Sequence, residues 1–300
     1  MIIHTPYALH EIGRRQNQED SIFPDKGQAN SNSPFFLVCD GMGGHENGEI
    51  ASQTVCESFG NYLNNFPPDD FNEAAFEQAL ALSYDALDKK DKTPEHKSKM
   101  GTTLAFLHLN QKEAFMAHIG DSRIYHLRPA NGSVGIVYKS EDHSLVNELH
   151  KAEVITAEEA ENYPRKNVIT RAMQPHLEKR CKADIHRTTD VRSGDYFFLC
   201  SDGVLESVHD GTLMEIISEN TDVPTKMQAI YRRCLTQSND NFSAYLISVN
   251  EGFSKDPHPI DTEDVQVEVV AESAVDDETE VTAPTVRIKE KAKKWRWWKA

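Results

Sequence analysis

Apolar positions along this chain fall into two patterns. The first is a short unbroken run: Phe35-Phe36-Leu37-Val38-Cys39 stops at Asp40-Gly41, and Phe197-Phe198-Leu199-Cys200 stops at Ser201-Asp202-Gly203. Runs this short predict buried strands, each halted by a carboxylate at a glycine turn where the backbone can approach a ligand closely. Residues 103–109, 113–119, 123–127 and 135–138 carry continuous or period-two apolar positions and predict a meander of strands in an antiparallel sheet. Weaker alternation over residues 7–12 and apolar runs at 196–200 and 243–249 add further strands.

The second pattern has helical spacing. From Glu49, the residues Ile50, Val55, Phe59 and Leu63 mark one face until Pro67-Pro68, and a second helix is predicted from Asn72 to Lys90 on Ala75, Phe76, Ala79, Leu80 and Leu87. Residues 144–161 are helix-like but polar and end at Tyr163-Pro164, which predicts a surface flap. Two more helices are predicted over 210–219 and 225–235. Strand runs and helix pairs are segregated along the chain, which indicates an α+β layered domain rather than an alternating parallel α/β fold.

Both patterns stop at Gly252. Asp256 to Val286 holds ten acidic residues and no Lys or Arg, too few apolar groups to offset the entropy of ordering, and is expected to be disordered. The last fourteen residues, from Arg287, reverse the sign with seven Lys or Arg, one Glu and Trp295, Trp297 and Trp298. The expected organisation is a folded body over residues 1–252, an acidic linker over 253–286 and a basic, tryptophan-rich tail over 287–300.

Composition narrows the function classes. A chain of 300 residues with 38% hydrophobic content can bury a sizeable core. Its net charge of −16 argues against nucleic acid as the main partner, because phosphate backbones call for a basic face. Cys39, Cys56, Cys181, Cys200 and Cys234 are odd in number without a CxxC pair and read as reduced core residues of a cytosolic protein. The first fifteen residues lack a run of signal-peptide length, and nothing approaches the roughly 20 apolar residues of a membrane span, so a soluble body is expected.

The candidate chemistry is carboxylate. One Asp-Gly is ordinary turn chemistry. Two copies, with Asp121 in Ile119-Gly120-Asp121-Ser122 and Asp240 beside Asn241, place four aspartates at strand edges, a cluster that hard cations would neutralise. Arg14-Arg15 ahead of Glu19-Asp20 reads alone as a charged loop.

Taken in order, Arg15 with Glu19-Asp20, DGMGGHENGEIAS from Asp40, GTT from Gly101, IGDSRIY from Ile119, DHS from Asp142, NVITRAM from Asn167, CSDG from Cys200 and SNDN ending at Asn241 resemble the metal-dependent protein phosphatase family of the PP2C type, in its bacterial form, over about residues 7–250. The resemblance implies an α-β-β-α sandwich of two antiparallel sheets flanked by helices. It also implies hydrolysis of phosphoserine and phosphothreonine on proteins by direct attack of a hydroxide bridging two Mn²⁺ or Mg²⁺ ions, opposing a bacterial Ser/Thr kinase in signalling.

By resemblance, Asp40, Asp202 and Asp240 hold the first ion, and Asp40, the Gly41 carbonyl and Glu19 the second, with Asp20 behind them. Asp121 with Asp202 would hold a weaker third ion, or would simply cap its turn. Arg15 would grip the phosphoryl oxygens as a bidentate donor, with Arg14 solvated. Gly101-Thr102-Thr103 and Asp142-His143-Ser144 are assigned structural roles. Animal relatives carry a histidine after the Asp-Gly, proposed as general acid. Here Met42 stands in that place, leaving His45 or a metal-bound water as donor. Expected partners are phosphorylated proteins and a cognate Ser/Thr kinase, with a monomeric, cytoplasmic enzyme. The tail reads either as an anchor giving weak contact with an anionic membrane surface or as a segment docking on the acidic body. A dead family member acting as a binding module, and a phosphatase for one dedicated substrate, are the alternatives.

Overall fold

A computed structural model of the chain describes residues 1–43, 46–92, 99–161, 163 and 168–253. The first half, among the described residues, forms β1 (Ile2–Ile3), β2 (Tyr7–Glu11), β3 (Asp20–Phe23), β4 (Phe35–Met42), α1 (Glu46–Leu63), α2 (Glu73–Lys90), β5 (Gly101–Thr102), β6 (Leu104–Leu109), β7 (Ala114–Ile119), β8 (Arg123–Ala130) and β9 (Ser133–Lys139). The second half adds α3 (Leu145–Lys151), α4 (Ala157–Glu161), β10 (Asp184–Thr188), β11 (Tyr196–Cys200), α5 (Asp202–Leu205), α6 (Asp210–Ser218), α7 (Val223–Gln237) and β12 (Phe242–Glu251).

These strands make two antiparallel sheets. The first runs β1-β12-β11-β8-β9 with β2 also on β12; the second runs β10-β7-β6-β4-β3 with β5 on β4. Each central strand is covered on both faces, which is why its sequence is a continuous apolar run instead of an alternation. On β4, Phe35, Leu37 and Cys39 pack under α1 and α2, while Phe36 and Val38 point between the sheets. On β11, Phe197 and Leu199 meet them from the other sheet, and Phe198 and Cys200 face α5, α6 and α7. The result is the expected α-β-β-α sandwich, and each phenylalanine it buries contributes about 2–3 kcal/mol.

Local chemistry fixes the helix ends. Asn72 caps α2 by accepting the Ala75 amide at 3.1 Å, and Asp222 caps α7 by accepting the Thr225 amide at 2.9 Å. Lys226 is buried with its Nζ donating to the carbonyls of Ile217, at 2.9 Å, and Glu219, which closes the C-terminal end of α6.

Several boundaries differ from the sequence expectation. Helix α1 begins at Glu46 rather than Glu49, because its first turn is polar and carries no periodic signal. Strands β3 and β10 escape the pattern: Asp20-Ser21-Ile22-Phe23 is half polar, and Asp184-Ile185-His186-Arg187-Thr188 lies at the sheet edge. The flap is two short helices, with α3 ending at Ala152 and Glu153 turning the chain at φ 56°. At the C-terminal end of the described residues, Phe253 packs against the inter-sheet core and its amide donates to the Val191 carbonyl at 2.8 Å. The rest of the linker and the whole tail lie outside the described residues. No helix among the described residues is long and apolar enough to cross a membrane.

Candidate metal centre

The two sheets deliver their carboxylates to one end of the sandwich. Strand β4 carries Asp40 and Gly41 just before its last residue, and its neighbour β3 begins with Asp20, which pairs across the ladder with Asp40. From the other sheet, Asp202 opens α5 directly after β11, and Asp240 immediately precedes β12. Asp121 sits in the turn by which the chain leaves β7 in the second sheet for β8 in the first.

Hydrogen bonds hold this arrangement. The Asp40 amide donates to Thr103 Oγ1 at 2.9 Å, Thr102 Oγ1 donates to the Asp40 carbonyl at 3.0 Å, and Thr103 Oγ1 also bonds Ser122 Oγ at 2.7 Å. The GTT motif therefore fixes Asp40 and the residue after Asp121 together, the structural role expected of it. Ser201 Oγ, from the first sheet, donates to Asp20 Oδ2 in the second at 2.8 Å. Glycine is required beside these groups: a Cβ on Gly41 would fall 2.1 Å from the Gly48 carbonyl oxygen, and one on Gly203 would fall 1.9 Å from that of Asn241.

The electrostatics are those of crowded anions. Asp20 is 3% exposed, and burial, reinforced by the charges of Asp202 and Asp240, pushes its carboxyl up to about 7 against hydrogen bonds from Ser243 and Ser201. Asp121 is pushed up to about 8 by burial and then by Asp202 and Asp142, and its Oδ1 is buried without a hydrogen-bond partner. Burial raises Asp40 well above the usual carboxylate range, with Asp202, Asp20 and Asp121 adding to it. Asp202 is raised as well, by burial first.

Arg15 stands at the rim, 56% exposed, with Nη2 2.5 Å from Asp240 Oδ2. Arg14, expected to be solvated, is exposed but tethered: its Nη1 donates to Asn239 Oδ1 at 3.0 Å and its Nη2 to the Thr236 carbonyl at 2.6 Å, near the end of α7. The Glu19 carbonyl accepts the Gly41 amide at 3.0 Å. Sequence reasoning missed Asn241, which is 4% exposed. Its Oδ1 accepts the Glu19 amide at 2.8 Å, and its Nδ2 donates to the carbonyls of Ile12 and Asn17 at 2.8 and 2.9 Å, tying the Arg15–Glu19 loop to the strand that follows Asp240. The signal was an asparagine at the head of an apolar run, where a strand has no other use for an amide.

Beside the cluster lies a cleft of about 1040 Å³ whose lining includes Asp121, Asp202, Asp142, Glu206 and Asp210, with Arg123 among them. Arg123 binds Asp142 through Nε and Nη2, both at 2.7 Å. Ser144 caps α3 at the foot of the flap. Met42 is half-buried at the end of β4, and His45 lies outside the described residues.

Comparison with known proteins matches this geometry. Residues 10–240, which include every one of these carboxylates, match the family model described as protein phosphatase 2C. The chain is 32% identical over 249 residues to protein phosphatase PhpP of Streptococcus pneumoniae, covering 81% of this chain and 96% of that one. Among solved structures it resembles the Mycobacterium tuberculosis serine/threonine phosphatase PstP/Ppp, with a TM-score of 0.71 and 27% identity over 84% of this chain and 100% of the other. It also resembles the PstP catalytic domain in complex with two manganese ions, with a TM-score of 0.68, 27% identity and the same coverage. A sandwich with aspartates from both sheets at one end, matched over most of its length to phosphatases of this kind, belongs to the protein phosphatase 2C family.

Proposed function

We propose that this enzyme removes phosphate from phosphoserine and phosphothreonine on proteins, using two divalent cations held by the carboxylate cluster. The observation that carries the reading is the convergence of Asp20, Asp40, Asp121, Asp202 and Asp240 from both sheets beside Arg15, with a buried oxygen of Asp121 unmatched by any donor. Such a donor set is all oxygen and anionic, which suits Mn²⁺ or Mg²⁺, and carboxyls held above their ordinary range favour exchanging protons for cations.

In this reading Asp40, Asp202 and Asp240 hold one ion, Asp40, the Gly41 carbonyl and Glu19 the other, and Asp121 with Asp202 a weaker third. Bound ions would neutralise the cluster and would supply a water acidic enough to give a nucleophile near neutral pH. The chain's own contribution is placement. Thr102 and Thr103 fix Asp40, which both ion sites share, and Ser201 steadies Asp20 behind it. Arg15, carried on a loop pinned by Asn241 and Arg14, presents a guanidinium at the rim that suits two oxygens of a phosphoryl group. Covalent catalysis finds no support here: burial pushes the Cys39 and Cys200 thiols up, and Ser201 commits its hydroxyl to Asp20. Met42 has no proton to give the leaving alkoxide.

The test is phosphate release from phosphoserine, phosphothreonine and phosphotyrosine peptides with Mn²⁺ and with chelator. Release from the first two, abolished by chelation and restored by Mn²⁺, supports the reading. Phosphopeptide binding without release would make the chain a binding module instead. The physiological setting we propose is cytoplasmic opposition to a Ser/Thr kinase by a monomeric enzyme. Residues 253–286 would act as a spacer and 287–300 as the segment that meets an anionic surface.

A further inference from the structure

Away from the aspartates, one group among the described residues brings three potential ligand atoms within 4.8 Å of one another: His118, His143 and Asp184. His118 lies on β7 directly opposite Asp184 on β10, and His143 lies in the segment leading to α3. The two histidines are 2% and 6% exposed, and their rings stack with centroids 4.6 Å apart and planes 15° from parallel.

The spacing suits a transition-metal ion, but the ring nitrogens do not. His118 Nε2 is 2.8 Å from the Glu141 carbonyl, which only accepts, so Nε2 carries the proton and the unpartnered Nδ1 is bare. His143 Nδ1 receives the Gly120 amide at 3.0 Å, so there Nδ1 is the bare nitrogen and Nε2 donates its proton toward Asp184 Oδ2 at 3.2 Å. A neutral imidazole has one in-plane lone pair, and that of His143 is committed to a backbone amide. Arg171 Nη1, 2.8 Å from Asp184 Oδ1 and 3.3 Å from His143 Nε2, sets a fixed positive charge where a cation would enter. Nearly parallel rings also cannot both aim in-plane lone pairs at one ion ~2.0–2.1 Å away.

We infer that this group is a strut and not a metal site, with His143 a positioning residue that fixes the turn carrying Asp121. His143 holds both backbone polar groups of Gly120: its ring accepts the Gly120 amide, and its own amide donates to the Gly120 carbonyl at 2.9 Å. Gly120 has φ +102°, and a Cβ there would fall 2.6 Å from Thr103 Cγ2, so the turn is walled as well as tied. On the other side of Asp121, Ser122 is held by Thr103. Asp121 is therefore bracketed, by His143 through Gly120 and by Thr103 through Ser122. The ring is kept in register by Asp184, which Arg171 and the pairing of β10 with β7 hold in turn. The His143 carbonyl also accepts the Thr170 amide at 2.8 Å, so the same residue ties down the chain returning from the flap.

This assignment rests on Asp121 being a ligand of the weaker third cation, and the experiment separates the two ideas. Calorimetric Mn²⁺ titration of the full chain is compared for wild type, Asp121→Asn, His143→Asn and His143→Gln. An asparagine amide oxygen takes the place of Nδ1 and still accepts from Gly120. A glutamine reaches the place of Nε2 and leaves the Gly120 amide unmet.

Asp121→Asn should remove the weakest site. His143→Gln should weaken that site about tenfold, the scale of one buried hydrogen bond, and His143→Asn less than about threefold, with the tighter sites unchanged. Equal weakening by both His143 variants, or none by His143→Gln, overturns the assignment. Should His143→Gln fail to fold, Asp184→Ala frees the ring from its other anchor. A several-fold weaker third site is then expected, and an unchanged one refutes the strut.

Long-range ¹H–¹⁵N spectra of histidine-labelled wild type supply the readout that needs no activity. Both rings should show a bare Nδ1, unaltered by Zn²⁺. A protonated Nδ1 on His143, or a zinc coordination shift at both rings, overturns the strut. A titration that Asp121→Asn leaves unchanged removes the third-ion role, while the spectra still report the bond from Gly120 to His143.

Discussion

Replacing Asp20 by asparagine should stabilise the cation-free enzyme, and more so as the pH rises. Asp20 is buried at the start of β3, paired with Asp40 on β4 and near Asp202 at the start of α5, and its carboxyl moves from 3.8 to about 7, by burial first and then by its charged neighbours. A group raised in the folded state contributes stability that is fully present below about pH 4 and is lost as the pH climbs through about 7. At ~1.4 kcal/mol per pH unit the loss has an upper bound of about 4 kcal/mol, and sharing of protons within the cluster reduces it to about 2 kcal/mol. The substituted amide keeps an acceptor for Ser201 and does not titrate, so it escapes that loss. A domain of this size shifts by ~2–4 °C per kcal/mol, which puts the variant about 4–8 °C above wild type at pH 8 in chelator and within about 1 °C at pH 4.5. Differential scanning calorimetry at both pH values checks this. A variant no more stable than wild type at pH 8, or a difference that does not depend on pH, would refute the reasoning. Saturating Mn²⁺ should flatten the wild-type pH dependence, because cations then replace protons.

Asp40→Asn and Asp240→Asn should each abolish turnover of a phosphothreonine peptide while leaving the circular dichroism spectrum unchanged; Asp40→Asn keeping more than about a tenth of wild-type activity would sink the two-ion reading. Arg15→Ala should raise KM more than it lowers kcat if the guanidinium grips phosphate in the ground state, and the reverse pattern in steady-state kinetics would move its role to the transition state. Gly203→Ala should destabilise the fold by about 3 kcal/mol or more, because its Cβ would fall 1.9 Å from the Asn241 carbonyl oxygen, and chemical denaturation measures it. Truncation after Phe253 should leave peptide hydrolysis intact but abolish sedimentation with anionic vesicles, and equal pelleting of both forms would eliminate the anchor.

The interior of the sandwich was readable because its strands are covered twice. Phe35 to Cys39 and Phe197 to Cys200 had no face to spare for polar residues, and the helix of Glu73–Lys90 announced itself by an asparagine cap and an apolar stripe. Strands β3 and β10 were not readable, because one carries site residues and the other lies at a sheet edge, so neither follows the apolar rule. Within the site, Asp40, Asp121, Asp202 and Asp240 stood out as charges at the ends of apolar runs. What holds them is less legible: the sequence marks His143 only as structural and Asn241 only as an amide at the head of an apolar run, because these two and Ser201 act through backbone amides, carbonyls or a buried carboxylate many residues away. Arg14 shows the converse, an unremarkable surface charge by position that proves to be tethered to the end of α7.

The last strand of the body, β12, is not at an edge. It lies between β1 and β2 on one side and β11 on the other, and the bond from the Glu19 amide to Asn241 closes a separation of 222 residues. Contacts of such long range form late, because the entropy of closing the loop must be met before they can contribute. On the ribosome, a chain that stops short of Asp240 would therefore own most of its carboxylates and still have no site, for Asp240 and the strand that seats it emerge together at the end of the body. Catalytic competence thereby certifies that synthesis has passed the last strand of the body: a chain stalled or clipped before Asp240 lacks both that carboxylate and the strand that seats it, and cannot strip phosphate from its surroundings.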